Sequence, residues 1–197
     1  RWYLLSNSSP WDNTKFDIAG VQETQRKFFA TLYNIYGFFA LYANIDNFTY
    51  AEEEIPLEQR PEIDRWVLSL LNTLIKEVEV TTDDYDPTKP TRAIEEFVTE
   101  HLSNWYVRLC RRRFWKGDYS TDKISAYQTL YTCMTTVCKL MASFSPFYAD
   151  MLYRDLNVVS NKEPFESVHL SNFPKADEAV IDKTLEAQMQ LAQDISS

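Results

Sequence analysis

The 197 residues carry 45% hydrophobic and 15% aromatic side chains and a formal net charge of −9 at pH 7, which excludes a disordered or low-complexity chain. Only 3 glycines occur, which disfavours turn-rich β architecture and Gly-rich phosphate loops, and the 3 cysteines form no CxxC pair, which argues against a disulfide framework or a zinc site. With no apolar run long enough for a membrane span and no signal-type segment, the chain reads as soluble and cytoplasmic, with no membrane partner and with Cys110, Cys133 and Cys138 as reduced, half-buried thiols.

Helical spacing recurs along most of the chain. It opens on RWYLL, an apolar helix-like element without a preceding cap, and this start reads as a piece cut from a longer polypeptide. Serine, asparagine and proline over 6–10 break that element. Phe28, Leu32, Ile35, Phe39 and Tyr42 then recur at steps of three and four and predict a helix over 20–45. An acidic stretch over 52–58 makes a solvated connection. From Pro61, the stripe Ile63, Val67, Leu70, Leu74 and Val78 predicts a second long helix that ends before TTDDYDPTKP.

A third helix is predicted over 91–115, with Ile94, Val98, Leu102, Trp105 and Leu109 as its buried line. Gly117 and Asp118 stop it, Ser120 or Thr121 caps a fourth helix reaching 143, and Ser145-Pro146 starts a shorter fifth. Residues 157–174 read as irregular with a short extended piece over 167–170, followed by helical spacing over 177–195. The fold class is all-α, an antiparallel helix bundle, divided as a linking element (1–16), a bundle (17–156) and an irregular connection with a final helix (157–197).

The feature that points to function is NWYVRLCRRRFWK at 104–116, which holds five cations and no acid, interleaved with large aromatics. On a helix, Arg108, Arg111, Arg112 and Trp115 sit at i, i+3, i+4 and i+7 and share one face. Guanidinium groups offer paired planar donors to phosphate oxygens, and an indole offers a flat surface on which an exposed base stacks, as proteins read single-stranded RNA loops. The acidity of the rest of the chain repels polyanions, so a nucleic-acid site here is a local patch. Two plainer readings stand beside it. The arginines form a solvated helix flank, or the aromatic surface of a helical protein-interaction module docks a partner protein.

No catalytic constellation is present. His101 and His169 are the only histidines, neither lies in HExxH, and no GxSxG turn occurs. His101, on the apolar flank near Trp105, reads as a structural, hydrogen-bonded residue.

Two segments together carry a family resemblance. RWYLLSNSSPWDN at 1–13 and LSNWYVRLCRRRFW at 102–115 resemble isoleucyl-tRNA synthetase, with supporting matches in KFFATLYNIYGFFALYANIDNF, RPEIDRWVLSLLNTL and SPFYADMLYRDL. The resemblance implies a helical anticodon-binding domain of a class I aminoacyl-tRNA synthetase, partnered by the anticodon stem-loop of isoleucine tRNA and by the catalytic and C-terminal domains of the same polypeptide, in a monomeric enzyme. The HIGH and KMSKS motifs and the editing domain of that family are not in this sequence, so no residue here takes a catalytic role. No cofactor or metal is implied for this segment, and ATP and magnesium belong to the parent ligase.

Residue by residue, Trp115 resembles the aromatic with which a methionyl relative stacks an anticodon base, while Arg111, Arg112, Arg113 and Lys116 are placed on the RNA backbone and Arg108 is a further tRNA-binding candidate. Arg1 and Trp2 fall where the linking element approaches the inner side of the tRNA. Many relatives carry arginines in the helix matching Tyr33 to Gly37; here Asn34 and Tyr36 are the candidates to substitute by hydrogen bonding or stacking. Trp105 and Tyr106 are assigned to packing.

Overall fold

The computed structural model describes residues 1–196. It is built of seven helices, with no strand among the described residues. Helix α1 is Trp2–Asn7. Helix α2 runs through Ile18–Thr24, a π-helical stretch Gln25–Phe29, and Ala30–Asp46. Helix α3 is Glu62–Asp83. Helix α4 joins Thr88–Glu96, a long π-helical stretch Phe97–Val107, and Arg108–Trp115. Helices α5, α6 and α7 are Thr121–Met141, Pro146–Ser160 and Lys183–Ser196.

The starts and stops have local causes. Asp17 caps α2, its carboxylate accepting from the Ala19 and Gly20 amides at 3.1 and 3.3 Å. The Asp86 carboxylate accepts from the Thr88 and Lys89 amides at 2.9 and 3.2 Å and starts α4 three residues before the sequence reading. Ser120 caps α5, and Pro146 occupies the first turn of α6. Asn47 and Asn161 end α2 and α6 in the left-handed region, at φ 54° and 49°, where asparagine is tolerated better than most side chains. Gly20 is required by a close approach, since a Cβ there would lie 2.5 Å from the Tyr3 ring.

Three elements depart from the sequence reading. Helix α3 continues through Thr81–Asp83, with the Thr81 hydroxyl bonded back to the Glu77 carbonyl at 2.7 Å. The extended piece expected over 167–170 is a single 3-10 turn, Val168–Leu170, capped by Ser167. The last helix is split, with a 3-10 turn Glu178–Val180 before α7.

Helices α3, α4, α5 and α6 pack in sequence order through short connections, and the start of α3 meets the end of α4, so the bundle is antiparallel. One core runs through it, with Val67, Leu102, Tyr127, Met134 and Tyr153 fully inside. α1 belongs to that core because Trp2 stacks on Phe28 at 4.5 Å and meets Phe144 edge-on. α7 docks on α3, with Glu186 accepting from the Ser69 and Thr73 hydroxyls at 2.6 and 2.9 Å.

Candidate nucleic-acid interface

The buried line of α4 is Ile94, Val98, Leu102, Tyr106, Cys110 and Phe114, a residue every four positions. In an ideal α-helix such a line drifts by about 40° per step and soon leaves the core. The π-helical stretch, with its wider i→i+5 turn, cancels the drift and keeps that line inward. The sequence reading assumed regular α spacing and placed Trp105 and Leu109 on the core line. In the structure Trp105 is only partly buried and Leu109 is 53% exposed.

Phe114 fixes the C-terminal end of α4 by packing edge-on against Phe38 of α2 and Tyr127 of α5, with both ring separations at 5.0 Å. Arg113, at one side of Phe114, donates to Asp64 through Nη1 at 2.5 Å and Nη2 at 2.8 Å. It also bonds the Asp122 carbonyl at 2.8 Å and its carboxylate at 3.1 Å. Burial works against the Arg113 charge, but the hydrogen bonds and the charge of Asp64 outweigh it and hold the pKa above the ordinary guanidinium range. Asp64 is fully buried and accepts two further bonds, from Tyr106 at 2.9 Å and Ser125 at 2.6 Å. Arg113 therefore leaves the set of candidate RNA contacts, because its donors are committed to the bundle.

The remaining basic residues point elsewhere. Arg108, Arg111, Arg112 and Lys116 are exposed and form no ion pair among the described residues. Trp115, on the opposite side of Phe114 from Arg113 at 100° per residue, is 58% exposed. A face with four unpaired cations around an uncovered indole can hold phosphates and stack a base. Cations in a last turn also interact favourably with the carbonyl end of the helix, worth about 0.3–1 kcal/mol each.

Helix α2 lies beside this end, since Tyr42 as well as Phe38 packs on Phe114. Asn34 is exposed one turn before Phe38, on the flank nearest α4. Tyr36 is partly buried on the other flank, where burial first and the nearby Asp155 second raise its phenol pKa. Leu41 and Ile45 are exposed along the ridge of α2, and the sequence reading, which named only the buried stripe, Asn34 and Tyr36 on this helix, gave them no role.

The N-terminal candidates separate. Trp2 is 2% exposed and donates its indole N–H to Glu95 at 2.8 Å, so it is a core residue and not an RNA contact. Arg1 is exposed, but its neighbour Trp2 is anchored at Glu95, 20 residues of α4 away from Trp115. The structure does not bring it into the basic end.

The other titratable groups have structural explanations. His101 stands edge-on to Trp66 at 6.0 Å, and burial lowers its pKa below the ordinary histidine value. Its Nδ1 has no hydrogen-bond partner among the described residues, in contrast to the hydrogen-bonded role expected from sequence. The thiols are fully buried, not half-buried, and burial pushes Cys110 up to about 11 and the other two higher still. Among the described residues no helix is long and apolar enough to cross a membrane, and no three His, Cys, Asp or Glu side chains are grouped to hold a metal.

Comparison with known families places this geometry in context. The family model of the anticodon-binding domain of tRNA ligase matches residues 64–197. Isoleucine--tRNA ligase of Bacteroides thetaiotaomicron is 61% identical over the whole chain, which covers 17% of that relative. The Porphyromonas gingivalis and Dehalococcoides mccartyi ligases of the same name are 64% and 49% identical over the whole chain, which covers 17% and 19% of them. The chain thus spans under a fifth of the length of the curated relatives it matches.

Proposed function

Because the chain belongs to the family of anticodon-binding domains of tRNA ligases, with the isoleucyl enzymes as its relatives, we propose that it binds the anticodon stem-loop of isoleucine tRNA within an isoleucine--tRNA ligase. The observation that carries the reading is the C-terminal end of α4, where Arg108, Arg111, Arg112 and Lys116 stand unpaired around the exposed Trp115 in a chain of net charge −9. Free cations in an acidic protein concentrate a polyanion at one place, and the indole supplies a stacking surface there.

The division of labour follows from the packing. Arg113, Phe114 and Tyr106 hold the helix end to α2, α3 and α5. The exposed cations then meet phosphate from a rigid platform, which lowers the ordering cost of binding. Asn34 lines the adjoining flank of α2 as a further contact, and Arg1 touches the same RNA at the far end of α4.

ATP and magnesium serve the parent ligase, in its other domains. No residue of this segment is assigned to either of them, and its sequence carries no Gly-rich phosphate loop. The segment positions the RNA, and the parent is a cytoplasmic monomer that joins isoleucine to its tRNA. A protein-docking role is the weaker reading, because covering four unpaired cations with apolar surface costs their hydration. The test is tRNA affinity of the full-length ligase after Arg111→Ala, Arg112→Ala and Trp115→Ala together. The reading predicts a large, salt-dependent loss, and unchanged affinity removes it.

A further inference from the structure

A groove of about 230 Å³ opens between the second half of α2 and the end of α6. Its floor and walls include Tyr36, Phe39, Ala40 and Leu156, and Asn44 and Asp155 stand at its rim. Both rim side chains are exposed, and neither has a hydrogen bond or ion pair to another described residue. An aromatic and aliphatic slot with uncommitted polar groups at its edge has the composition of a small planar-ligand site.

Gly37 supplies a second, independent observation. It lies in mid-helix, is exposed, and a Cβ built on it would meet nothing within 4 Å. Alanine would therefore fit and would make a better helix, so packing does not explain the glycine. A glycine of this kind suits the close approach of another backbone. Gly37, Ala40 and Asn44 follow at i, i+3 and i+7 and lead from the exposed ridge of α2 into the groove. On the ridge's other side, Phe38 and Tyr42 pack against Phe114 of the basic helix end.

We propose that one unstacked nucleobase of the bound RNA enters this groove, with its sugar–phosphate backbone crossing α2 at Gly37. This rests on the RNA-binding reading above and adds where a base is read. Tyr36 offers the stacking ring, and Asp155 offers only acceptors. The seat therefore favours bases whose edge donates through an exocyclic amino group, namely guanine, adenine or cytosine, over uracil, which has no amino group. The backbone phosphates stay on the side of Arg108, Arg111 and Arg112, across a helix about 10 Å wide.

The experiment uses the full-length ligase with its isoleucine tRNA transcript as the probe, measuring the dissociation constant and the melting temperature. Gly37→Ala is expected to leave melting unchanged or raise it while weakening tRNA by about tenfold, the scale of one lost base stack. Asn44→Ala and Asp155→Asn are expected to weaken it by about fivefold or more without loss of stability. If all three stay within twofold of wild type (well under the stacking scale) while Arg111→Ala with Arg112→Ala weakens binding, the seat is wrong and the basic interface stands. If neither set changes the affinity, the RNA-binding reading falls and the seat with it.

Discussion

Arg113 and Asp64 form a two-pronged ion pair, at 2.5 and 2.8 Å, that ties the basic end of α4 to the first turn of α3. It explains why three consecutive arginines do not share one role. Asp64 also accepts from Tyr106 and Ser125, so its oxygens are satisfied in the core. Asp64→Ala is expected to destabilise the fold by about 3–5 kcal/mol, because it leaves a largely covered guanidinium with only the more exposed Asp122 as its ion-pair partner and the Tyr106 and Ser125 hydroxyls without their acceptor. Chemical denaturation checks this, and Arg111→Ala at the exposed position serves as the control, expected within about 0.5 kcal/mol of wild type.

Trp115 contributes nothing to the core but is the only exposed aromatic of α4. Trp115→Ala is expected to weaken tRNA binding by about 1–3 kcal/mol, while Trp115→Phe retains most of the affinity. Both variants should melt like wild type. An equal loss for Phe and Ala in the binding assay speaks against stacking.

The pH dependence of stability carries a signature of His101. Its folded pKa is depressed by burial, so below about pH 6.5 the unfolded chain binds the proton first. Stability is therefore full above that pH and falls as pH drops through the folded pKa. Glu95 acts in the opposite direction, since burial raises its pKa and protonation at lower pH favours the folded state. Comparing wild type with His101→Gln from pH 7.5 to 5 isolates the histidine contribution. The variant is expected to lose less stability over that range.

All three cysteines are buried, with Cys110 pushed up to about 11 and the other two higher still by burial. A thiolate is the reactive form, so the native chain is expected to resist alkylation at pH 8. Labelling should follow unfolding, and a mass-spectrometric time course in denaturant measures it. Rapid labelling of the folded chain contradicts the packing described here.

Much of the fold was legible because helix stripes and caps are local signals. The stripes of α2 and α3, the Ser120 cap and the Pro146 start lie where spacing and capping chemistry put them. The basic face was legible as a charge pattern, and four of its cations with Trp115 are exposed as that pattern required. What failed depended on a turn that spacing rules omit. The π-helical stretch of α4 moved the core line to Tyr106 and Cys110 and turned Leu109 outward. The role of Arg113 was hidden because its partner Asp64 is 49 residues away and looks like an ordinary first-turn acid. Trp2 was misplaced because a terminal apolar segment reads equally well as a linker or as core.

In the proposed interface, RNA meets the free cations Arg111 and Arg112 and not the committed Arg113. The direct measurement is filter binding of isoleucine tRNA to the full-length ligase across a salt series, for wild type, Arg111→Ala with Arg112→Ala, and the conservative Arg113→Lys. The double variant is expected to bind at least about tenfold more weakly, with a salt slope reduced by about 1.4–1.8 for two lost phosphate contacts. Arg113→Lys should change stability while leaving the slope in place. A double variant with wild-type affinity and slope would show that RNA does not bind at these arginines.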